Sequence, residues 1–421
     1  MQKTLSSLFI VFLMAACTES DEQTQPVVTE VPNPATPGAR YPFASAGAGG
    51  DSMMLLWLEP DDGNPGADST ALVWASYDGN GWSAPELIGK SEKFFVNWAD
   101  FPALTGIDET PVAAHWLQEV PGGSYAYHVN LAFRSQSGAW SDPITPHEDR
   151  SATEHGFVSM VPIDGDRVFT IWLDGYRMQG AGHGESSHEG HDGQADLSNA
   201  MTLRSVMVHR DGSRGEELEV DSAVCDCCQT SAARSGDRII AVYRNRTSGE
   251  IRDIYRAVYD LDTSQWGEPL ALSNEGWEIA GCPVNGPQIA ASGDTVIATW
   301  FSAANDEPRS FMAVSHDGGL TFAEPEPLDD GESIGRVAVT FSREGTALLT
   351  WIGADQETSA VYGRLWRDSS LGSPFLIGQI DGSRASGFPR AAGLGAGFLV
   401  AWTATDAESA IQTVVISQAT E

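Results

Sequence analysis

The sequence predicts an all-β fold, a β-propeller of seven blades, from two features of the chain. One pattern recurs: a short strand of small residues, a Gly or Asp turn, and an apolar strand closed by an aromatic residue. The aromatics are Trp57, Trp116, Trp172, Tyr243, Trp300, Trp351 and Trp402. The runs between them show no convincing helical period and are separated by Gly and Pro. Copies about 50 to 70 residues apart are typical of propeller blades, and six blades is the alternative if one copy is degenerate.

Each copy continues into further strands, as a four-stranded blade requires. We expect third strands at 71–74, 128–131, 203–206, 254–257, 311–314 and 361–364, and fourth strands at 82–87, 140–144 and 266–270. The last copy stops after its third strand at 413–416. We therefore expect 26–31 to supply the missing strand and to close the ring.

The N-terminal segment predicts export and lipid anchoring. Residues 1–16 carry Lys3 and the apolar run 8–14, which is too short for a finished membrane helix and has the form of a signal peptide. The ending before Cys17 resembles the bacterial lipobox, which implies cleavage there and a lipid on the Cys17 sulfur. Thr18 then implies sorting to the bacterial outer membrane, facing either side. A plain secretory signal is the alternative. We expect a flexible tether at 17–39 and one propeller domain at 40–421.

The charge limits the possible partners. The formal net charge is −34, and only Lys3, Lys90 and Lys93 are lysines. A surface this acidic repels nucleic acid and anionic lipid, so we expect membrane contact through the lipid alone. We expect a monomer whose ligand is a metal ion, a small molecule or a glycan.

One turn carries a specific family resemblance. Residues 315–322 match the Asp-box, with looser versions at 77–82 and 135–140. The chain is thus similar to the sialidase superfamily of propellers, with BNR repeats, over nearly all of its exported length. The resemblance implies a structural role for the motif, far from any reaction centre. Its residues here are Ser315, Asp317, Gly319, Thr321 and Phe322.

The segments before the innermost strands are where we expect a ligand site. In a propeller they line one mouth of the central channel, together with the loops after the second strands. These positions bring cysteines, a histidine, carboxylates and arginines to one face. Asp100, Asn285 and Arg246 are candidate binding residues among them.

The cysteines are the strongest candidate for chemistry. Cys225, Cys227 and Cys228 lie within four positions, and Cys282 falls at the equivalent place in the next blade. With His155 as an imidazole ligand, these thiols favour Cu(I) or Zn(II), copper being preferred, or serve in thiol redox work. The alternative is structural disulfides, either from Cys225 or Cys227 to Cys282 or as a vicinal bridge between Cys227 and Cys228.

The remaining histidines divide into a loop cluster and isolated residues. The loop 182–192 contains His183, His188 and His191 among carboxylates, which indicates either a secondary metal site or a polar insertion. His147, His209 and His316 fall on predicted turns or strand ends and are expected to face solvent. His115 lies within a strand and is expected to be packed.

Sialidase chemistry is the main alternative function. The resemblance implies an arginine triad, and Arg40, Arg244 and Arg336 are weak candidates for it. Ala39 and Tyr41 depart from the family motif around Arg40, and no nucleophilic tyrosine is recognisable. We therefore expect a propeller that does not hydrolyse glycans. The alternatives are an exo-sialidase or other glycoside hydrolase, and a surface propeller that binds glycan or protein.

Overall fold

The fold is a seven-bladed all-β propeller, as predicted. The computed structural model describes residues 25–46, 50–61, 68–107, 110–178, 194–355, 358–405 and 411–417. Within these ranges the strands form seven antiparallel sheets of three to five strands, and each sheet is one blade. The same residues contain no helix long and apolar enough to cross a membrane.

The strands of the first three blades follow the chain. Blade 1 contains β2 (Arg40–Ala46), β3 (Met53–Pro60), β4 (Thr70–Tyr77) and β5 (Glu86–Ser91). Blade 2 contains β6 (Ala103–Ile107), β7 (Thr110–Glu119) and β8 (Tyr127–Phe133). Blade 3 contains β9 (His155–Asp164), β10 (Arg167–Asp174), β11 (Met201–His209) and β12 (Leu218–Val224).

The last four blades continue the same order. Blade 4 contains β13 (Ser231–Ser235), β14 (Arg238–Arg244), β15 (Ile254–Asp260), β16 (Gln265–Trp266) and β17 (Leu270–Ala271). Blade 5 contains β18 (Gln288–Ser292), β19 (Thr295–Ser302), β20 (Arg309–Ser315) and β21 (Glu326–Pro327). Blade 6 contains β22 (Ser333–Phe341), β23 (Ala347–Asp355), β24 (Thr358–Arg367), β25 (Ser370–Leu371) and β26 (Phe375–Ile380). Blade 7 contains β27 (Arg390–Leu394), β28 (Gly397–Thr403), β29 (Ile411–Ser417) and the N-terminal β1 (Val27–Glu30). Short 3-10 turns lie at Tyr176–Met178, Leu197–Asn199, Ala304–Asp306 and Arg384–Ser386.

The ring closes by pairing the two ends of the chain, as expected. The strand β1 lies antiparallel to β29, with Thr29 opposite Val415. The Asn33 side chain also donates a hydrogen bond to the Ile411 carbonyl at 2.8 Å. Blade 7 thereby gains its outer strand, and the outer edge of β29 is covered.

The core lies between neighbouring blades and depends on the closing aromatics. Trp57, Trp172 and Trp300 are fully buried on the second strands of their blades. Trp300 packs against Ile240 and Ile254 of the preceding blade. Each buried aromatic of this kind contributes about 1.5–3 kcal/mol, so the repeat identified in the sequence is the repeat of blade-to-blade contacts.

The predicted fourth strands are shifted, absent or interrupted. The expected positions were 82–87, 140–144 and 266–270. In blade 1 the strand begins only at Glu86, and in blade 4 two short strands lie on either side of Pro269. In blade 2 the prediction is wrong, because isolated bridges, one at Ile144, replace the strand. Pro143 and Pro269 lack the N–H that a continuous ladder needs.

The turn after β20 is built as the Asp-box resemblance implies. The Asp317 carboxylate accepts hydrogen bonds from the Thr321 hydroxyl at 2.6 Å and the Thr321 amide at 2.9 Å, which lower its pKa to about 2. Gly319 has φ of 81°, and a Cβ there would lie 2.5 Å from an isoleucine of blade 4. The Ser315 hydroxyl accepts the Gly319 amide at 2.9 Å, and Phe322 packs into the core between blades 4 and 5. These contacts hold a hairpin and leave no free group for chemistry.

Proline substitutions in β1 test the ring closure. Val31 donates its amide to Thr413, and because amides alternate along an antiparallel strand, Thr29 also faces β29 whereas Glu30 faces away. Thr29→Pro is expected to lower the free energy of unfolding by about 2 kcal/mol through the loss of strand hydrogen bonds. Glu30→Pro is the matched control and is expected to cost much less. Equal effects of the two variants in chemical denaturation would contradict this closure.

Candidate functional site

The segments before the innermost strands meet at one mouth of the channel. Gln229 donates from its side chain to the Ala99 carbonyl at 2.7 Å and accepts the Gly286 amide at 2.9 Å. Asn285 accepts the Arg336 amide at 2.7 Å. These bonds join blades 2, 4, 5 and 6, so residues far apart in sequence share one surface. A cavity of about 100 Å³ inside the channel is lined by residues that include Asp100, Phe157, Gln229 and Arg390.

Three cysteine thiols lie together at this mouth. The sulfur cluster consists of Cys225, Cys227 and Cys228, whose Sγ atoms all lie within 4.8 Å of one another. The Cys225 Sγ lies 2.7 Å from that of Cys228 and 3.9 Å from that of Cys227. The cluster occupies the turn between β12 and β13, where the Cys225 amide donates to the Arg244 carbonyl at 2.9 Å. The turn thus directs all three thiols to one point.

Cys282 approaches the sulfur cluster from blade 5. A hydrogen bond between the Cys227 and Cys282 thiols lowers the pKa of Cys282, and hydrogen bonds to the other thiols raise the pKa of Cys227 well above its ordinary value. The four cysteines are free thiols in the structure, with Cys225 and Cys228 buried and Cys282 exposed. Three of the four thiols expected to work together therefore form one group, and Cys282 acts on it from the side of Cys227.

The charge around Cys225 favours a thiolate. Burial alone would raise the pKa of the Cys225 thiol, but hydrogen bonds from Cys227 and Cys228 and the charge of Arg252 together hold it well below its ordinary value. The Arg252 guanidinium lies 3.5 Å from the Cys225 Sγ and is held by Glu250 at 2.8 Å. Burial raises the pKa of Cys228. The cluster therefore combines one thiol whose pKa is lowered with two neighbouring thiols whose pKa values are raised.

Arg246, a candidate binding residue, supports this arrangement from outside. It pairs with Glu250 at 2.6 Å and with Asp226 at 3.1 Å, and it is 8% exposed. The Asp226 carboxylate lies in the sulfur-bearing turn, so this pair fixes the turn to the loop after β14. Arg246 therefore holds the turn in place beside the cysteines, and its charge is already paired with two carboxylates.

The arginines considered for a sialidase triad are placed differently from one another. The Arg244 guanidinium donates to the carbonyls of Arg252, Asn285 and Phe301 at 2.6–3.2 Å. The Arg336 guanidinium donates to the Gly387 carbonyl at 3.0 Å and to other groups of the same loop. Arg40 is exposed on β2. Two of the three arginines therefore hold loops together, and Asn285 likewise serves as a structural connector.

A buried tyrosine and two carboxyl groups lie below the mouth. The Tyr127 hydroxyl lies 2.8 Å from Asp100 and 2.6 Å from Glu154. Burial raises the pKa of Asp100 to about 7 and that of Glu154 to about 8, and the charges of Asp226 and Cys282 add to the second shift. Asp100 is a candidate binding residue from the sequence, whereas Tyr127 was missed because its position on β8 carries no signal beyond an ordinary strand.

His155 lies in a different group from the cysteines. Its Nε2 is 3.1 Å from Asp149 and 3.7 Å from Asp174, and these three residues form a separate set of possible ligands. His147 stacks on His155 with ring centroids 4.1 Å apart.

The prediction that His147 faces solvent is wrong, because it is fully buried and accepts the Val129 amide. His115 is packed as expected.

Several predicted sites fall outside the described residues. These are the signal peptide at 1–16, the lipidation site Cys17, and the loop histidines His183, His188 and His191.

Comparisons with known proteins find likeness in fold. No protein-family model matches the chain, and no curated protein matches it. A protein of unknown function from Dyadobacter fermentans DSM 18053 is 12% identical, with a TM-score of 0.52 over 94% of this chain and 100% of that one. An ulvan lyase, described as a new family of polysaccharide lyase, PL25, is 11% identical, with a TM-score of 0.52 over 94% and 96%. The neighbours also include a Trypanosoma rangeli sialidase, 11% identical, with a TM-score of 0.47 over 79% and 55%. At these identities the first two matches concern the propeller fold alone.

A matched pair of arginine variants tests the Cys225 thiolate. Arg252→Gln removes the charge beside the Cys225 Sγ and is expected to raise the lowest thiol pKa by about one unit or more. Arg246→Gln removes the other partner of Glu250 without touching Cys225, so it is expected to leave that pKa nearly unchanged. The measurement is thiolate ultraviolet absorbance during a pH titration of reduced, metal-free protein. Equal shifts in both variants would contradict the assignment.

The buried carboxyl groups predict a loss of stability as pH rises. The folded-state pKa of Glu154, about 8, lies above its ordinary 4.5, so the folded protein holds an extra proton between these values. The stabilisation that this extra proton provides is fully present below pH 4.5. It is lost as the pH rises toward 8, at up to about 1.4 kcal/mol of unfolding free energy per pH unit. Glu154→Gln mimics the protonated form, so its unfolding free energy is expected to fall less between pH 6 and 8. Parallel curves for wild type and variant would show that Glu154 is not protonated in the fold.

Proposed function

We propose that this propeller does not hydrolyse glycans and binds a soft metal ion, Cu(I) by preference, through the sulfur cluster. The observation that supports this most directly is the convergence of three thiols within 4.8 Å at the channel mouth. Thiolates are the ligands that select Cu(I) and Zn(II) among the common metals of proteins. The residues present fit such an ion, because one thiol already tends toward the thiolate form that metals require.

The number of close sulfurs favours copper over zinc. Structural zinc sites are almost always closed by four ligands. Among the described residues three thiols form the compact group, and Cys282 lies outside it. His155 is left out of the proposed ligand set, because its Nε2 faces Asp149 and Asp174. Zinc bound by all four cysteines is the competing outcome.

The surroundings suit an anionic metal complex in a buried place. Burial raises the pKa of Cys228, and the charge of Arg244 acts in the opposite direction. The charge of Arg252 likewise lowers the pKa of Cys225. Two guanidinium groups thus offset negative charge on the sulfurs, which reduces the desolvation penalty of holding thiolates away from water.

Thiol redox work is the second candidate. Cys225 and Cys228 have the spacing C-x-x-C, and a low-pKa thiol beside a high-pKa one is the pairing found in such motifs. In that reaction the Cys225 thiolate attacks a partner disulfide and releases one partner thiol, and the Cys228 thiolate then displaces the second. The products are a Cys225–Cys228 disulfide and two partner thiols. Cys225 is only 1% exposed, which favours a small ion over a macromolecular disulfide as its partner.

The anchoring of the protein is part of the same proposal. Cleavage before Cys17 and lipid attachment to its sulfur would hold the domain at the bacterial outer membrane through the part of the predicted tether 17–39 that precedes β1, since Val27–Glu30 belongs to blade 7. The histidines of the loop 182–192 would act as a loose secondary site that first captures the ion. A glycan-active enzyme of the sialidase type is the alternative, and two of its three candidate arginines already bind backbone carbonyls.

Copper binding by purified protein tests the proposal. The reduced, full-length protein is expected to bind one Cu(I) ion in competition with a chromogenic chelator. Cys225→Ser, Cys227→Ser and Cys228→Ser are each expected to weaken Cu(I) binding by more than roughly 100-fold. This is a larger loss than the one caused by substituting a residue that only supports a metal ligand. The triple variant His183→Asn, His188→Asn, His191→Asn is the control and is expected to retain the affinity.

Two outcomes would overturn copper binding. Stable disulfides among the four cysteines in unreduced protein, with no bound metal, would assign them a structural role. A Cys225–Cys228 disulfide that forms and breaks reversibly, with no copper affinity, would support the redox candidate instead.

A further inference from the structure

A second set of metal-ligating groups lies in blade 3, apart from the sulfur cluster. We propose that Asp149, His155 and Asp174 bind a divalent cation of the zinc class. The His155 Nε2 lies 3.1 Å from the Asp149 Oδ2 and 3.7 Å from the Asp174 Oδ1, and the three ligand atoms lie within 4.8 Å of one another. Two bonds of about 2.0–2.2 Å from a single ion span up to about 4.4 Å, so both separations from the His155 Nε2 suit such an ion.

The fold itself brings these residues together. His155 begins β9 and Asp174 ends β10, and the two are opposite each other in the antiparallel register. Asp149 lies in the connection between β8 and β9, and it reaches the same point six positions before His155. The site therefore depends on one strand pair and one loop, both belonging to a rigid blade.

The hydrogen bonds of His155 leave its Nε2 facing two carboxylates. Its Nδ1 lies 3.2 Å from the carbonyl oxygens of Tyr127 and Thr153. Because a carbonyl only accepts, Nδ1 carries the hydrogen, and the Nε2 of the neutral ring presents a lone pair. A lone pair this close to carboxylate oxygens is repulsive unless a proton or a cation lies between them. The site therefore requires either a proton shared between the imidazole and a carboxyl group or a bound metal.

The charge balance favours a metal over a proton. His155 and Asp174 have fully buried side chains, and one proton balances only one of the two carboxylates. In the described part of the chain, the ion pairs of both carboxylates are with His155 alone. Arg150 lies nearby but donates to the backbone carbonyls of His147 and Asp149. A divalent cation balances the charges of both carboxylates at once. Without such a partner, burying an isolated charge is costly.

The surrounding groups hold each ligand as metal sites require. The Trp172 indole donates to the Asp174 Oδ2 at 2.7 Å, and the Tyr176 amide donates to its Oδ1 at 2.9 Å. The Ser151 hydroxyl donates to the Asp149 carboxylate. The His147 ring stacks on His155 at an angle of 10°. Partners of this kind fix the orientation of metal ligands, and the Asp149 side chain, 26% exposed, offers a path for the ion.

The donor set distinguishes this site from the sulfur cluster. One imidazole and two carboxylates suit Zn(II) and similar divalent ions and are poor ligands for Cu(I). The chain would thus hold a borderline cation and a soft ion separately.

Zinc binding in a chain without the sulfur cluster tests the proposal. The full-length protein carrying Cys→Ser at 225, 227, 228 and 282, and His→Asn at 183, 188 and 191 to remove the proposed loop site, is dialysed against zinc. Bound metal is then measured by elemental analysis. One zinc ion is expected, and Asp174→Asn and His155→Gln are each expected to weaken binding at least tenfold. Asp253→Asn is the matched control, because Asp253 is also buried and accepts two backbone amides. Its zinc affinity is expected to be unchanged.

A second measurement uses the chain with its cysteines intact. Co(II) added to the protein carrying only His183→Asn, His188→Asn and His191→Asn is expected to give a bound fraction without sulfur-to-cobalt absorption, and adding Asp174→Asn is expected to abolish that fraction. The proposal is overturned if neither metal binds there, or if nitrogen NMR shows both ring nitrogens of His155 protonated in the presence of excess zinc. Because the readouts exclude sulfur ligation, failure of the copper site would leave this result unaffected.

Discussion

The closure of the ring constrains everything else in this molecule. Once β1 pairs with β29, every innermost strand starts at the same end of the channel. The segments before those strands must share a small space, and their backbone polar groups must find partners there. Gln229 and Arg244 provide such partners, since they bind carbonyls and amides of other blades. The mouth is therefore a connected network of hydrogen bonds, and the side chains that it does not use are the candidates for chemistry.

The unused groups form two sets that differ in chemistry. Sulfur atoms gather on the turn between β12 and β13, and an imidazole with two carboxylates gathers at the start of β9. Each set contains a buried group that is costly without a positive neighbour: the Cys225 thiolate beside Arg252, and Asp174 beside His155. Low dielectric makes both groups respond strongly to a cation. Both sets are proposed as metal sites because they share this electrostatic situation. They prefer different ions because sulfur is a softer donor than imidazole nitrogen or carboxylate oxygen.

Much of the fold could be predicted, because the signal repeats along the chain. The closing aromatics give the blade count, and the incomplete last copy gives the ring closure. The outer strand of blade 2 could not be predicted from its pattern, because Trp140 and Ile144 make only isolated bridges. Outer strands have few core contacts, so their sequences are weakly constrained.

The site was partly predictable for a related reason. The cysteines were found because their residue type is rare and three of them lie close in sequence. The role of His155 could not be found in this way, since its partners Asp149 and Asp174 are ordinary acidic residues brought together by strand register. His147 follows a proline in a connection and gave no sign of its burial. The positions of these residues depend on which strands and loops lie next to each other. That arrangement cannot be read from a single sequence.

The most direct measurement is X-ray absorption spectroscopy at the copper edge of the reduced protein loaded with one equivalent of Cu(I). A first shell of sulfur atoms alone, supplied by Cys225, Cys227 and Cys228, is expected for copper bound at the sulfur cluster. A first shell of nitrogen or oxygen atoms would contradict this expectation, as would a failure of the reduced protein to retain copper.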